Sequence, residues 1–80
     1  MASLLRIQLS EHGLLKVDLS MPALCAGRLY ELIPAHWEPA AQTANLDLRA
    51  LSQAVENAHF AARELFTLTA GPKSVRAWLE

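Results

Sequence analysis

Two pairs of alternating segments bracket this chain and constrain its fold more than any other feature. Residues 5–9 read Leu-Arg-Ile-Gln-Leu and residues 15–19 read Leu-Lys-Val-Asp-Leu, while residues 65–69 read Leu-Phe-Thr-Leu-Thr and residues 75–79 read Val-Arg-Ala-Trp-Leu. Apolar side chains at every second position mark a strand with one buried face. Glu11-His12-Gly13-Leu14 separates the first pair, with Gly13 able to take the positive φ of a tight turn. Ala70-Gly71-Pro72-Lys73 separates the second pair and reads equally as a turn. Each pair is expected to form a β-hairpin.

The middle of the chain carries a helical period. Ser20 is an N-cap candidate, with Pro22 in the first turn of a helix over residues 23–33. Cys25, Leu29, Leu32 and Ile33 share one face of that helix, and Pro34 stops it. Arg28 and Glu31 sit three apart on another face. Gly27 inside this helix costs about 1 kcal/mol against alanine, so another element is expected to pack closely there. Residues 34–46, rich in Pro and Ala, read as a long loop that carries Trp37; a short helical turn within 38–43 also fits. Asp47 or Asn45 then caps a second helix with Leu48, Leu51, Val55, Ala58 and Ala62 as its apolar stripe, fraying near residues 57–59.

The order β-β-α-α-β-β predicts an α+β class: a four-stranded antiparallel sheet with two helices packed on one face. Strand orders 2-1-4-3 and 1-2-3-4 both satisfy it. The 80 residues leave room for one small domain, residues 1–80. Hydrophobic residues make up 52% of the chain, but Ala and Leu supply much of this. A core of this size yields a net stability of only about 3–5 kcal/mol, which raises the expectation of a homodimer.

Net charge is -1, and the seven basic residues are spread singly. Nucleic-acid binding needs a clustered basic face, so no nucleic-acid partner is expected. The single cysteine, Cys25, rules out an intrachain disulfide. The N-terminal residues do not read as a signal peptide, and no apolar run approaches the roughly 18–20 residues of a membrane span. The expected setting is the cytoplasm of a bacterial cell. Leu79-Glu80 fits the end of a strand and equally a vector-derived scar; whether the chain is part of a longer protein stays open.

Catalytic chemistry finds little support. His12, His36 and His59 fall in a turn, a loop and a helix end, without metal-ligand spacing, so no metal or other cofactor is expected. Cys25 near a helix start could be an activated thiol, but on an apolar face it reads as a small core residue. The carboxylates are scattered, and Gly13, Gly27 and Gly71 are too few for a phosphate-cradling loop. No catalytic residue is assigned and no enzyme is expected.

The tryptophans are more informative. If Val75, Ala77 and Leu79 face the helices, Trp78 and Arg76 point to the open sheet face near Arg6, Gln8, Lys16 and Asp18, where a tryptophan is a candidate interface anchor. The reverse register makes Trp78 a core residue. Two functions therefore stand as expectations. The first is a non-enzymatic protein-interaction module, self-associating through the open sheet face or an edge strand, with Trp78, Arg76, Arg6 and Gln8 in the contact. The second is a small-ligand or peptide-binding domain that uses the 34–46 loop, with Trp37, His36 and Tyr30 in the site. Against the second, Trp37 also reads as a lid folded back over the helix pair.

Five short stretches carry a family likeness: residues 5–9, Lys16-Val17-Asp18-Leu19-Ser20-Met21-Pro22, Leu32-Ile33-Pro34, Leu46-Asp47-Leu48, and Ser74-Val75-Arg76-Ala77-Trp78-Leu79-Glu80. Together they resemble the small C-terminal module of bacterial SHOCT-like, YvlB-type proteins of unknown function. Their order there is strand, turn, strand ending before proline, helix ending in Ile-Pro, helix and terminal hairpin. Ala70-Gly71-Pro72-Lys73 departs from that family's acidic Asp-Gly turn. The resemblance covers nearly the whole chain through short, degenerate motifs. It implies no enzymatic activity and no catalytic residues, and points to an interaction module linked to envelope-stress regulation.

Overall fold

The computed structural model describes all residues from 1 to 80. Strand β1 (Leu4–Glu11) and strand β2 (Leu14–Pro22) open the chain, and β3 (Arg63–Ala70) and β4 (Lys73–Leu79) close it. Between them lie a 3₁₀ helix (Ala23–Arg28), α1 (Leu29–Leu32), a 3₁₀ turn (Ala35–Trp37), α2 (Glu38–Thr43) and α3 (Leu48–Asn57). The class is α+β, with all four strands in one antiparallel sheet of order β2-β1-β4-β3. The two hairpins thus meet through their first and last strands, β1 and β4.

Local chemistry sets the turns. His12 and Gly13 both take positive φ, 52° and 78°, as a two-residue type I′ hairpin requires. Gly71, at φ 61°, opens the β3–β4 turn, and the His12 N–H donates to the Pro72 carbonyl at 2.9 Å, tying the two hairpin tips together. At the other end, the N–H groups of Ser3 and Leu4 donate to the Glu80 carbonyl at 2.8 and 2.9 Å, and the Glu80 N–H donates to the Leu4 carbonyl at 2.9 Å. Leu79 is buried opposite Leu5. Leu79 thus ends β4, and Glu80 continues its hydrogen bonding to the start of β1.

The helical layer differs in detail from the expectation. Ser20 does not cap a helix, because β2 continues through Pro22 and the 3₁₀ helix begins only at Ala23. The helix expected over 23–33 is broken at Arg28, whose φ of -134° and ψ of 40° are non-helical. Gly27 sits just before the break, and the Glu56 Oε1 atom lies 2.8 Å from where a β-carbon would be. That is the close approach expected at this glycine. The stretch 34–46 is not an open loop: it folds into the 3₁₀ turn and α2, giving three short α-helices rather than two.

Asp47 caps α3 as expected, its Oδ1 accepting from the backbone N–H groups of Arg49 and Ala50 at 3.0 and 3.2 Å. The helix ends in a Schellman motif. The His59 N–H donates to the Glu56 carbonyl at 3.0 Å and the Phe60 N–H to the Val55 carbonyl at 2.9 Å, with His59 at φ 55°. Helix α2 ends in the same way, with Asn45 in the left-handed position at φ 55° and bonds from Asn45 to Gln42 and from Leu46 to Ala41.

The core lies between the helical layer and the central strands. Leu5 and Ile7 of β1, Val75, Ala77 and Leu79 of β4, and Leu65, Phe66 and Leu68 of β3 meet Ala23, Ala26, Leu29, Trp37, Ala41 and Val55. A register shift between Glu64 and Phe66 marks Leu65 as a bulge residue, and both Leu65 and Phe66 are buried. Ser52 is the one buried polar residue; its hydroxyl donates to the Leu48 carbonyl and accepts the Leu29 N–H at 3.1 Å. The bond to the Leu29 N–H fixes α3 against α1.

Candidate interaction surface

The register of the central strands brings the four candidate interface residues together. In the β1–β4 ladder Arg6 stands opposite Trp78 and Gln8 opposite Arg76. Val75, Ala77 and Leu79 are buried under the helices, so alternation sends Trp78 and Arg76 to the open face. Trp78 is half-buried there between two cations: the Arg76 and Arg6 guanidinium carbons lie 4.3 and 5.4 Å from its ring centroid. Both distances are within cation–π range.

Carboxylates complete this face. Arg6 donates to Glu80 and to Asp18, each at 3.0 Å, and the Trp78 indole N–H donates to the other Glu80 oxygen at 3.0 Å. Arg76 forks onto Glu64 across the β3–β4 pair, one of the two bonds measuring 3.2 Å. The Trp78 bond, followed by that of Arg6, holds the Glu80 carboxyl below the usual carboxylate range. The bond from Arg76 holds Glu64 low in the same way. The Arg6 guanidinium is shifted upward, first by Asp18 and then by Glu80. The charged groups around Trp78 are thus matched within the chain, leaving a polar lattice rather than an uncovered apolar anchor.

The uncovered apolar surface lies instead on β2, a strand at the edge of the sheet. Leu14, Leu15, Val17 and Leu19 are 63%, 53%, 39% and 47% exposed. Val17 and Leu19 stand opposite Leu9 and Ile7 in the ladder and share their face, the helix-bearing one. The helices nevertheless stop short: the first 3₁₀ helix packs over β1 and α2 over β3. Every strand was expected to bury its apolar face, and β2 departs from that because the helical layer is too narrow to reach it. Leu24, directly after β2, is also exposed. The alternation of β2 was legible in the sequence; the reach of the helices was not.

The residues expected in a ligand site do not converge. Trp37 is 2% exposed and part of the core. Its Nε1 has no hydrogen-bond partner. His36 is exposed beside it, the rings 5.8 Å apart. Tyr30 lies in a half-open cleft of about 700 Å³ lined also by Ile33, Leu46, Leu48 and three carboxylates, and the Arg49 guanidinium covers its ring at 4.2 Å. Neither His36 nor Trp37 lines that cleft.

No three His, Cys, Asp or Glu side chains gather where they could hold a metal ion. Cys25 is half-buried against the core. No helix is long and apolar enough to cross a membrane. Comparisons with protein-family models, curated proteins and solved structures find no match for this chain.

Proposed function

We propose that this chain is a non-enzymatic protein-interaction module that self-associates through its edge strand β2. The observation that carries this reading is the row of exposed apolar side chains on an edge. An edge strand presents unpaired backbone N–H and C=O groups, a template for another strand. Exposed apolar side chains on that edge add a driving force for association. The other edge, β3, differs: Leu65, Phe66 and Leu68 are already buried, and its exposed positions are polar or charged apart from Ala70 at its end. The resemblance to the SHOCT-like module agrees with an interaction role. We place the module in the cytoplasm, where its one thiol stays reduced, with no cofactor.

Sedimentation of two variants tests this. Leu19→Lys puts a charge into the exposed row and is expected to leave a folded monomer. Trp78→Ala, on the opposite face, is expected to keep the association of the wild type. Association retained by Leu19→Lys but lost in a folded Trp78→Ala protein would move the interface to the open face and overturn the edge-strand reading.

A further inference from the structure

We propose that two copies of this chain pair the regular stretch of β2, residues 17–21, antiparallel about a two-fold axis at Leu19, joining two four-stranded sheets into one. This rests on the self-association proposed above and adds the stretch and the register. The backbone of β1 decides which groups of β2 are free. Leu4 and Glu80 exchange both backbone bonds, at 2.9 Å each, and the His12 N–H reaches the Pro72 carbonyl. Residues of an antiparallel strand turn their N–H and C=O alternately to one neighbour and the other. The even residues of β1 therefore bond toward β4 and the odd ones toward β2. Leu9, Ile7 and Leu5 stand opposite Val17, Leu19 and Met21, so these three use their backbone groups within the chain. Asp18 and Ser20, opposite Gln8 and Arg6, turn theirs to the free edge.

The ends of the stretch are set by the chain itself. The β1–β2 register skips Lys16, because Leu9 pairs with Val17 and Ser10 with Leu15. This bulge interrupts the ladder before Val17 and places Leu15 with Ser10 on the open face. At the other end Pro22 has no N–H to donate. Lys16 and Pro22 lie three residues either side of Leu19. An axis at Leu19 sets the bulge of one copy against Pro22 of the partner subunit, so neither falls inside the new ladder. Asp18 then exchanges two backbone bonds with Ser20 of the partner subunit, and symmetry repeats the pair. Leu19 meets Leu19 of the partner subunit, and Val17 meets Met21 of the partner subunit, on the face where the helices leave Val17 and Leu19 exposed.

Charge selects the same register. Asp18 engages only Oδ1, with Arg6. The Ser20 hydroxyl has no partner within the chain. Residues directly opposite have Cβ atoms about 4.5–5.5 Å apart, so that hydroxyl can donate to the free carboxylate oxygen of Asp18 of the partner subunit. An axis at Asp18 opposes two carboxylates, which destabilises a ladder. An axis at Ser20 sets Asp18 against Pro22 of the partner subunit, and an axis at Val17 runs the ladder through the bulge.

Disulfide trapping reads the register. In a Cys25→Ala background, Leu19→Cys places two thiols at the axis, where antiparallel partners outside the hydrogen-bonded pairs have Cα atoms about 4.5 Å apart, inside the roughly 4.4–6.8 Å range of disulfides. Val17→Cys, on the same face, leaves its two thiols about 14 Å apart along the strand. Under mild oxidation Leu19→Cys is expected to form covalent dimer at least about tenfold faster than Val17→Cys or Gln8→Cys on the open face. Ser20→Ala is expected to weaken association about tenfold, and unchanged association in that variant overturns the Asp18–Ser20 contact. A chain that is dimeric by mass but crosslinks no faster at Leu19 than at Val17 overturns this register and leaves self-association standing. A chain that is monomeric at every concentration overturns both.

Discussion

Leu19 and Ile7 face each other across the β1–β2 ladder, yet Ile7 is 7% exposed and Leu19 is 47% exposed. One apolar cross-strand pair therefore straddles the boundary of the core. The helices cover the β1 partner and leave the β2 partner in solvent. Truncating the two should have very different consequences. Ile7→Ala is expected to cost about 2–5 kcal/mol, as for a buried aliphatic side chain. Leu19→Lys should change the stability of the isolated chain by no more than about 0.5 kcal/mol. Urea denaturation at low protein concentration measures both, and equal losses would show that β2 is covered after all.

Ser52 offers a sharper test of the helical layer. Its hydroxyl accepts the buried Leu29 N–H, so Ser52→Ala leaves that donor without a partner. The expected loss is about 1–3 kcal/mol, large for removal of one oxygen. A urea midpoint unchanged from the wild type would contradict the link between α3 and α1.

The end of α3 contains a residue that can be improved. His59 holds the left-handed position of a Schellman motif that glycine fills without steric cost. His59→Gly relieves a left-handed strain of about 1–2 kcal/mol but adds unfolded-state entropy, for a net gain of about 0.5–1 kcal/mol. Asn45→Gly should gain less, because asparagine tolerates that conformation. Thermal melts of the two variants check the order, and destabilisation by His59→Gly would refute the cap.

The open-face lattice predicts acid sensitivity. Glu80 and Glu64 are held below the usual carboxylate range in the folded chain, by Trp78 and Arg6 and by Arg76 respectively. A depressed carboxylate contributes stability that is fully present above its unfolded pKa, about 4.3 for glutamate. That stability is lost as pH falls through the folded value. Stability should therefore decline on acidification below about pH 5. The exposed setting of both groups keeps the effect small. Glu80→Gln should flatten the decline, and an unaltered pH profile in that variant would count against the Glu80 bonds.

The hairpins were legible because period-two alternation and the turn residues Gly13 and Gly71 agree with each other. The face of Trp78 follows from the same alternation once Val75, Ala77 and Leu79 are placed inward. Asp47 announced its helix because a side-chain oxygen just before an apolar stripe has one evident use. Other features needed three dimensions. Alternation shows which side of β2 is apolar but not whether a helix reaches it. The break at Arg28 and the contact between Gly27 and Glu56 are not written in the local pattern, Glu56 being far away in sequence. Trp37 sits among prolines and alanines that look like loop, and its burial in the core is set by tertiary packing rather than by any local pattern. The cluster around Trp78 joins Arg6, Glu64, Arg76 and Glu80 from three strands and the chain end, a convergence set by strand order.

The central claim is that β2 meets a second copy, and absolute mass in solution tests it most directly. Light scattering after gel filtration, over a concentration series of the wild-type chain, should show mass rising from 8.8 kDa toward twice that value. A mass that stays at 8.8 kDa at every concentration would contradict self-association.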